Sequence, residues 1–142
     1  MKPHVLIVDD ERSLRFSMKT ALMTGGYKIS TAMDGKEGLE KIHENENGDS
    51  PVSLIITDIN MPGMNGLRFI DELKKLPRQI PIIVVTGYGD RNLLEELVHK
   101  GISGYLDKPM NVEALREKAA EIIDIDKSKR EKERRARGSM AA

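Results

Sequence analysis

Short apolar runs alternate with amphipathic stretches along most of this chain. Each amphipathic stretch repeats apolar residues three or four positions apart, which is the spacing of one helix face. The β-branched apolar runs predict five strands, at His4–Val8, Tyr27–Ala32, Val52–Ile56, Ile80–Val85 and Ile102–Leu106. Since a helix follows each strand after a short connection, the pattern predicts an α/β fold. We expect a (βα)5 doubly wound, parallel five-stranded sheet with right-handed crossovers and helices on both faces.

Gly, Pro, Asp and Asn mark the ends of the predicted helices. The helices are expected over Ser13–Met23, Asp34–His43, Leu67–Leu76, Asp90–Lys100 and from Asn111 onward. The polar segment Asn45–Pro51 is predicted to be a surface loop. The first, third and fourth strands are the most continuously apolar, so they should lie at the centre of the sheet.

The last part of the chain has a different composition. From Asp126 to Arg137 it holds seven Lys or Arg residues and three Asp or Glu residues, without apolar periodicity. We therefore expect a domain over residues 1–124 and a charged tail or linker over 125–142, ending in what resembles a cloning remnant. A solvated linker is the preferred interpretation. The alternative is an extension of the last helix through pairs such as Glu131 with Arg135.

Composition narrows the class of protein. The 142 residues are 39% hydrophobic and 32% charged, with no cysteine, which favours one globular domain in a reducing cytoplasm. No apolar run is long enough to span a membrane. Because the basic tail leaves the rest of the chain mildly acidic, we do not expect the folded part to contact nucleic acid.

Polar side chains follow four of the predicted strands. They are Asp9 and Asp10, Asp58, Thr86, and Lys108. Because the carboxyl ends of parallel strands meet at one edge of the sheet, these side chains should converge. Crowded carboxylates favour a hard divalent cation such as Mg²⁺. A metal, a lysine and a hydroxyl together suit a transferred phosphoryl group, with the central Asp58 as nucleophile.

Taken singly, each of these residues has a simpler structural explanation. Asp58 could cap the loop after its strand, and Asp9 with Asp10 could cap a helix. Lys108 could form a surface salt bridge with Asp107. Their joint appearance at four strand ends favours the chemical interpretation.

Four stretches, IVDDE, IITDINMPGMNG, VVTGYGD and GYLDKP, resemble the receiver domain of bacterial two-component response regulators, the CheY-like family. The resemblance covers residues 2–124 and implies the strand order 2-1-3-4-5. It implies that Asp58 is the phosphoacceptor and that Asp9 and Asp10 form an acidic pocket, with Asp10 the direct metal ligand. The backbone carbonyl of Asn60 should complete the protein's share of the shell around Mg²⁺ or Mn²⁺.

The same resemblance assigns switch residues. Thr86 corresponds to the switch hydroxyl, Tyr105 to the switch aromatic and Lys108 to the phosphate-pairing lysine. The bond from Lys108 to Pro109 is expected to be cis. Two departures from the family pattern stand out: a longer loop over 45–51, and Met110 where one DNA-binding subfamily has Phe. The second departure weakens the expectation of that subfamily's homodimer.

The lifetime of the phosphorylated state should depend on two positions that flank the attacking water. Asn60 lies two residues after the phosphoacceptor, and Tyr88 lies two residues after Thr86. Asn60 can hold a water and favour hydrolysis, whereas Tyr88 can cover the entry and disfavour it.

The resulting expectation is a cytoplasmic phosphorylation switch. A sensor histidine kinase or phosphotransfer protein would donate the phosphoryl group, and an output partner or a missing effector domain would receive the signal. The chain would catalyse only its own phosphorylation and dephosphorylation.

Three alternatives stay open. An aspartate-nucleophile phosphatase would need an acid at position 60, where this chain has Asn. A flavodoxin-like nucleotide or flavin module would need a phosphate loop where Asp9, Asp10 and Glu11 stand. The third alternative is a protein-interaction module that is not phosphorylated.

Overall fold

The computed structural model describes residues 2–61, 63–87 and 89–141, with side chains described as far as residue 138. Five strands alternate with five helices in these ranges. They are β1 (His4–Val8), α1 (Arg12–Met23), β2 (Lys28–Ala32), α2 (Gly35–Asn45), β3 (Val52–Thr57), α3 (Gly66–Lys74), β4 (Ile82–Thr86), α4 (Arg91–His99), β5 (Gly104–Asp107) and α5 (Val112–Ala141).

The strands form one parallel sheet in the order β2-β1-β3-β4-β5. This confirms both the α/β class and the strand order expected from the sequence. The three most apolar strands, β1, β3 and β4, occupy the centre, where both faces of the sheet are covered.

The core has two halves, one on each face of the sheet. Along β1, Leu6 and Val8 belong to the half that contains Phe69 of α3. Val5 and Ile7 belong to the half under α1 and α5. This alternation results from the two-residue period of a strand, so the sheet is packed on both faces.

Side-chain caps begin three of the helices where the sequence predicted them. Asp34 accepts a hydrogen bond from the backbone N–H of Glu37 at 2.8 Å, and Asp90 accepts one from Leu93 at 2.8 Å. Asn111 accepts one from the N–H of Ala114 at 3.1 Å. Short polar side chains satisfy helix N–H groups that have no partner within the helix.

The preferred prediction of a solvated linker after residue 124 is wrong, because α5 continues as a helix to Ala141. No Gly or Pro interrupts the stretch from Val112 to Arg137, and Lys, Arg, Glu and Ala are strong helix formers. Asp126 and Arg130, one turn apart, form an ion pair at 2.9 Å. The domain limit near residue 124 stays a prediction.

None of the helices in the described ranges combines the length and the apolar content that crossing a bilayer requires.

Candidate functional site

The carboxyl edge of the sheet gathers the polar residues that the sequence placed at strand ends. Asp9 lies just after β1, Asp58 lies just after β3, and Thr86 ends β4; all three are buried, with Asp9 and Thr86 at 0% exposure. Asp10 is exposed beside them. Buried charged residues are rare unless they are paired, so the environment of each carboxylate matters.

Lys108 is the cation that joins the two buried carboxylates. Its Nζ donates to Asp58 Oδ2 at 2.7 Å and to Asp9 Oδ2 at 3.2 Å. Its backbone N–H donates to the carbonyl of Thr86 at 3.0 Å, which ties the end of β5 to the end of β4. The peptide bond from Lys108 to Pro109 is cis.

The other oxygen of Asp58 is held by the loop after β3. Oδ1 accepts the backbone N–H of Ile59 at 2.6 Å and that of Asn60 at 3.3 Å. These bonds fix the rotation of the carboxylate, so that its second oxygen faces Lys108.

Gly66 closes this loop and is a residue whose role the sequence analysis missed. Its N–H donates to the carbonyl of Ile59 at 2.8 Å. A Cβ at this position would lie 2.4 Å from the backbone oxygen of Asp58 and 2.5 Å from the Cα of Ile59. The backbone on both sides therefore requires glycine here. The available sequence signal is the Asn-Gly pair at 65–66, which is typical of a loop but does not show its closure onto Asp58.

Burial and neighbouring charges shift the pKa values of Asp9 and Lys108. Burial raises the pKa of Asp9, although the N–H of Glu11 and the ammonium of Lys108 act in the opposite direction. For Lys108, burial lowers the pKa, but the hydrogen bond to Asp58 and the charges of Asp9 and Asp58 outweigh it and raise the pKa above its ordinary value. One cation thus faces two buried anions, and the site retains an excess of negative charge.

The donor set fits a hard divalent cation. Asp9, Asp10 and Asp58 each offer a carboxylate oxygen, and these oxygens lie within 4.8 Å of one another. Oxygen-only ligands from a few carboxylates, with water in the remaining positions, are what Mg²⁺ prefers. The carbonyl of Asn60 as a further ligand stays a prediction.

Tyr105 lies two residues before the end of β5, packed against the half of the core that contains Phe69. Its hydroxyl comes so close to Gly89 that a Cβ there would be 1.3 Å away. Burial raises the pKa of the phenol, and the hydrogen bond to Asp107 and the charge of Asp90 add to the rise. Tyr88, the expected cover of the site, lies outside the described residues.

The fold and site together define a doubly wound α/β protein with an acidic pocket and one lysine at the carboxyl edge. The chain matches the family described as response regulator receiver domain over residues 5–120. It therefore belongs to that family, the CheY-like receiver domains of two-component response regulators.

Individual relatives agree with this assignment. The probable chemotaxis protein CheY of Rhizobium etli is 34% identical over 118 residues, covering 81% of this chain and 88% of that protein. The C4-dicarboxylate transport transcriptional regulatory protein DctD of Rhizobium meliloti is 31% identical over 113 residues, covering 80% of this chain but 24% of that protein. This chain thus spans about a quarter of the length of that regulator.

Solved structures show the same architecture. A CheY-like response regulator receiver domain protein from Methanospirillum hungatei JF-1 has a TM-score of 0.81 and 30% identity, covering 91% of this chain and 99% of that chain. A response regulator receiver domain protein from Clostridium thermocellum has a TM-score of 0.79 and 30% identity, covering 88% of this chain and 97% of that chain.

Proposed function

We propose that this receiver domain accepts a phosphoryl group on Asp58, with a divalent cation held by Asp9, Asp10 and Asp58. The observation that carries the proposal is the contact of one lysine with two buried carboxylates, 2.7 Å from Asp58 and 3.2 Å from Asp9. A site whose negative charge exceeds its positive charge is suited to bind a metal and then a phosphoryl group.

In the proposed reaction, a carboxylate oxygen of Asp58 attacks the phosphorus of a phosphohistidine or of acetyl phosphate. The new O–P bond makes an acyl phosphate, and the old bond from phosphorus to the donor breaks. The leaving group carries away the electron pair and takes a proton. Lys108 stays beside Asp58 and neutralises charge on the phosphoryl oxygens. A bound Mg²⁺ or Mn²⁺ would supply further positive charge against those oxygens.

The switch is proposed to act through Thr86 and Tyr105. Thr86 would move toward the phosphoryl group and vacate space that the Tyr105 ring enters, which changes the surface made by α4, β5 and α5. The packing of Tyr105 against the β4–α4 loop at Gly89 supports this coupling, since that loop links Thr86 to α4. Experiment decides whether two copies of the chain form a homodimer through that surface.

The lifetime of the phosphorylated state is proposed to depend on Asn60. Asn60 is exposed, and its backbone N–H donates to Asp58 Oδ1 at 3.3 Å, so its side chain lies near the phosphoacceptor and is proposed to hold the attacking water. We expect Asn60→Ala to slow dephosphorylation, and timed decay of the acyl phosphate measures it.

The proposed partners are a sensor histidine kinase or phosphotransfer protein as donor and an output partner or effector domain as receiver of the signal, in the cytoplasm. One relative, the hybrid signal transduction histidine kinase D of Dictyostelium discoideum, is 34% identical over 131 residues, covering 90% of this chain and 8% of that protein. Its name places a related sequence in a kinase polypeptide, which supports a kinase as donor here. We propose no turnover of external substrates.

Intact-mass spectrometry tests the proposal. With acetyl phosphate and Mg²⁺, the wild type should gain about 80 Da, the mass of one phosphoryl group, and chelation of the metal should prevent the gain. Asp58→Asn should gain nothing. Asp71→Asn, at an exposed acid of α3 that pairs with Lys100 at 2.7 Å, is the matched control and should gain as the wild type does. An equal gain in Asp58→Asn would overturn the assignment.

A further inference from the structure

Arg15 of α1 reaches back to the acidic pocket without touching a carboxylate. Its Nη1 donates to the backbone carbonyl of Asp9 at 2.7 Å, and its side chain is half-buried. Its backbone N–H donates to the carbonyl of Glu11 at 3.0 Å, which begins the helical hydrogen bonding of α1. The side chain therefore folds back across the start of its own helix.

The contact holds the guanidinium of Arg15 near the N-terminus of α1. The start of a helix is its positive end and disfavours a nearby cation. The first turn of α1 holds no acidic residue, and Glu11 at its N-cap makes no side-chain cap. The charge-assisted bond to the Asp9 carbonyl holds the Arg15 side chain at this end of the helix, whereas the side chain of Arg12 in the same turn is exposed.

This bond completes the restraint of Asp9. Its N–H donates to the carbonyl of Ala32 at 3.1 Å, and its Oδ1 accepts the N–H of Glu11 at 2.8 Å. Its Oδ2 accepts from Lys108 at 3.2 Å, and its carbonyl accepts from Arg15. The carbonyl held by Arg15 belongs to the peptide that joins Asp9 to Asp10. Fixing that peptide fixes the direction in which the exposed Asp10 leaves the strand.

We propose that Arg15 is a positioning residue for the cation site, acting through the carbonyl of Asp9 on the relative placement of Asp9 and Asp10. The inference rests on the proposed function in one respect, that these carboxylates bind a divalent cation. Groups that orient metal ligands from behind commonly change metal affinity by about tenfold or more when they are removed.

Two effects of Arg15 on a bound cation have opposite signs. Its positive charge repels the metal, so removing the charge alone would tighten binding. Its hydrogen bond orders the ligands, so removing the bond would weaken binding. The sign of the change in affinity therefore separates a positioning role from a purely electrostatic one.

Arg12 provides the matched control. It lies in the first turn of the same helix, carries the same charge and is exposed. Arg12→Gln reports the effect of losing one positive charge near the pocket, and solvent screening should keep that effect within about twofold at physiological salt.

The experiment is a Mg²⁺ titration of the full chain monitored by amide NMR shifts. Arg15→Gln should raise the Kd about tenfold, Arg12→Gln should stay within about twofold of the wild type, and Arg15→Lys should fall between them. Without metal, amide exchange at Glu11 should be faster in Arg15→Gln than in Arg12→Gln, because its acceptor Asp9 is less restrained. Circular dichroism checks the fold of each variant.

An unchanged or lower Kd in Arg15→Gln overturns the inference, as does an equal increase in Arg12→Gln. If the wild type itself binds no Mg²⁺, the proposed function fails and this inference fails with it. If Arg15→Gln does not fold, comparison of Arg15→Lys with Arg12→Lys decides by the same titration. An equal Kd in those two variants would then contradict the positioning role.

Discussion

The carboxyl and amino edges of the sheet differ in how their charged side chains are paired and exposed. At the carboxyl edge, Asp9 and Asp58 are 0% and 6% exposed, and both carboxylates pair with Lys108. At the amino edge, Arg78 and Glu46 form a two-bond ion pair, at 2.7 and 2.8 Å, with both side chains partly in solvent. Glu46 therefore has its own cation and a side chain partly in solvent, whereas the two aspartates share Lys108 and are buried.

The pKa values of Asp9 and Glu46 shift in opposite directions. Burial raises the pKa of Asp9, whereas the hydrogen bond from Arg78 lowers the pKa of Glu46. A stabilising ion pair lowers the pKa of a carboxyl group. A raised pKa indicates that the folded state destabilises the ionised form. Strained electrostatics of this kind concentrate at functional sites. Substitutions at the carboxyl edge and substitutions at the amino edge should therefore differ in their effects on phosphorylation and on stability.

The largest effect should come from Lys108→Met. Loss of the ammonium beside Asp58 removes charge compensation for the incoming phosphoryl group, and we expect the rate of phosphorylation by acetyl phosphate to fall about 100-fold. Arg78→Met, which removes the cation of the amino edge, should leave that rate within about twofold, since it contacts neither Asp9 nor Asp58. Similar losses in both variants would contradict a localised role for Lys108.

The pH dependence of stability should have opposite signs at the two edges. Because the pKa of Asp9 is raised above its ordinary value of 3.8, its contribution to stability is complete below that value and is lost as the pH rises through the raised pKa. Asp9→Asn removes this loss. The free energy of unfolding of the variant should therefore increase relative to the wild type as the pH rises above 3.8 and through the raised pKa.

Glu46 has a lowered pKa, so its contribution is present above its ordinary value of 4.5 and is lost as the pH falls through the lowered pKa. Glu46→Gln should be less stable than the wild type at neutral pH and approach it in acid. Urea unfolding across this range measures both variants. If the free energy of unfolding changes with pH in the same way in Asp9→Asn and Glu46→Gln, the proposed difference between the edges is wrong.

A smaller, local effect is expected from Gly89→Ala. The added Cβ would lie 1.3 Å from the Tyr105 hydroxyl, so the ring must leave its place beside Asp107. The pKa of the phenol should then fall toward its ordinary value, because burial and the carboxylate no longer act on it. A pH titration of the tyrosine ring carbon by NMR measures the change.

Gly87→Ala, in the same loop, is the control, because its nearest neighbour would be Lys108 Cβ at 3.5 Å, an ordinary contact. An unmoved Tyr105 signal in Gly89→Ala would mean that the loop yields instead of the ring.

The smallest effect should be at the extension of α5. Arg130→Gln removes an ion pair with Asp126 that is partly exposed on both sides, and pairs of this type contribute about 0.3–0.5 kcal/mol. Helix content measured by circular dichroism should fall slightly at low salt, and the difference from the wild type should shrink as salt is added. Loss of helix over the whole extension would contradict this estimate, because it would show that the extension requires this one ion pair.

The residues at strand ends were the part of the site that the sequence predicted best. Asp58 and Lys108 each come at the end of an apolar run, and a parallel sheet brings such ends to one edge without further information. The strand order itself came from family resemblance, because periodicity alone does not distinguish the possible arrangements of five strands.

Features that depend on side-chain direction or on competing weak interactions could not be predicted from the sequence. The bond from Arg15 to the Asp9 carbonyl requires the path of the chain between β1 and α1. The approach of Tyr105 to Gly89 joins a strand and a loop that only the fold brings together. The helix beyond residue 124 was underestimated because it lacks an apolar face, although its helix-forming composition was visible.

The most direct test of the central claim is to locate the phosphoryl group. The wild type is incubated with acetyl phosphate and Mg²⁺, and borohydride then reduces the acyl phosphate to an alcohol, which converts the labelled aspartate to homoserine. Peptide mass spectrometry should find this conversion at Asp58, and no conversion should occur when the metal is chelated. Conversion at Asp9 or Asp10 in its place, or none in the folded protein at saturating Mg²⁺, would contradict the account.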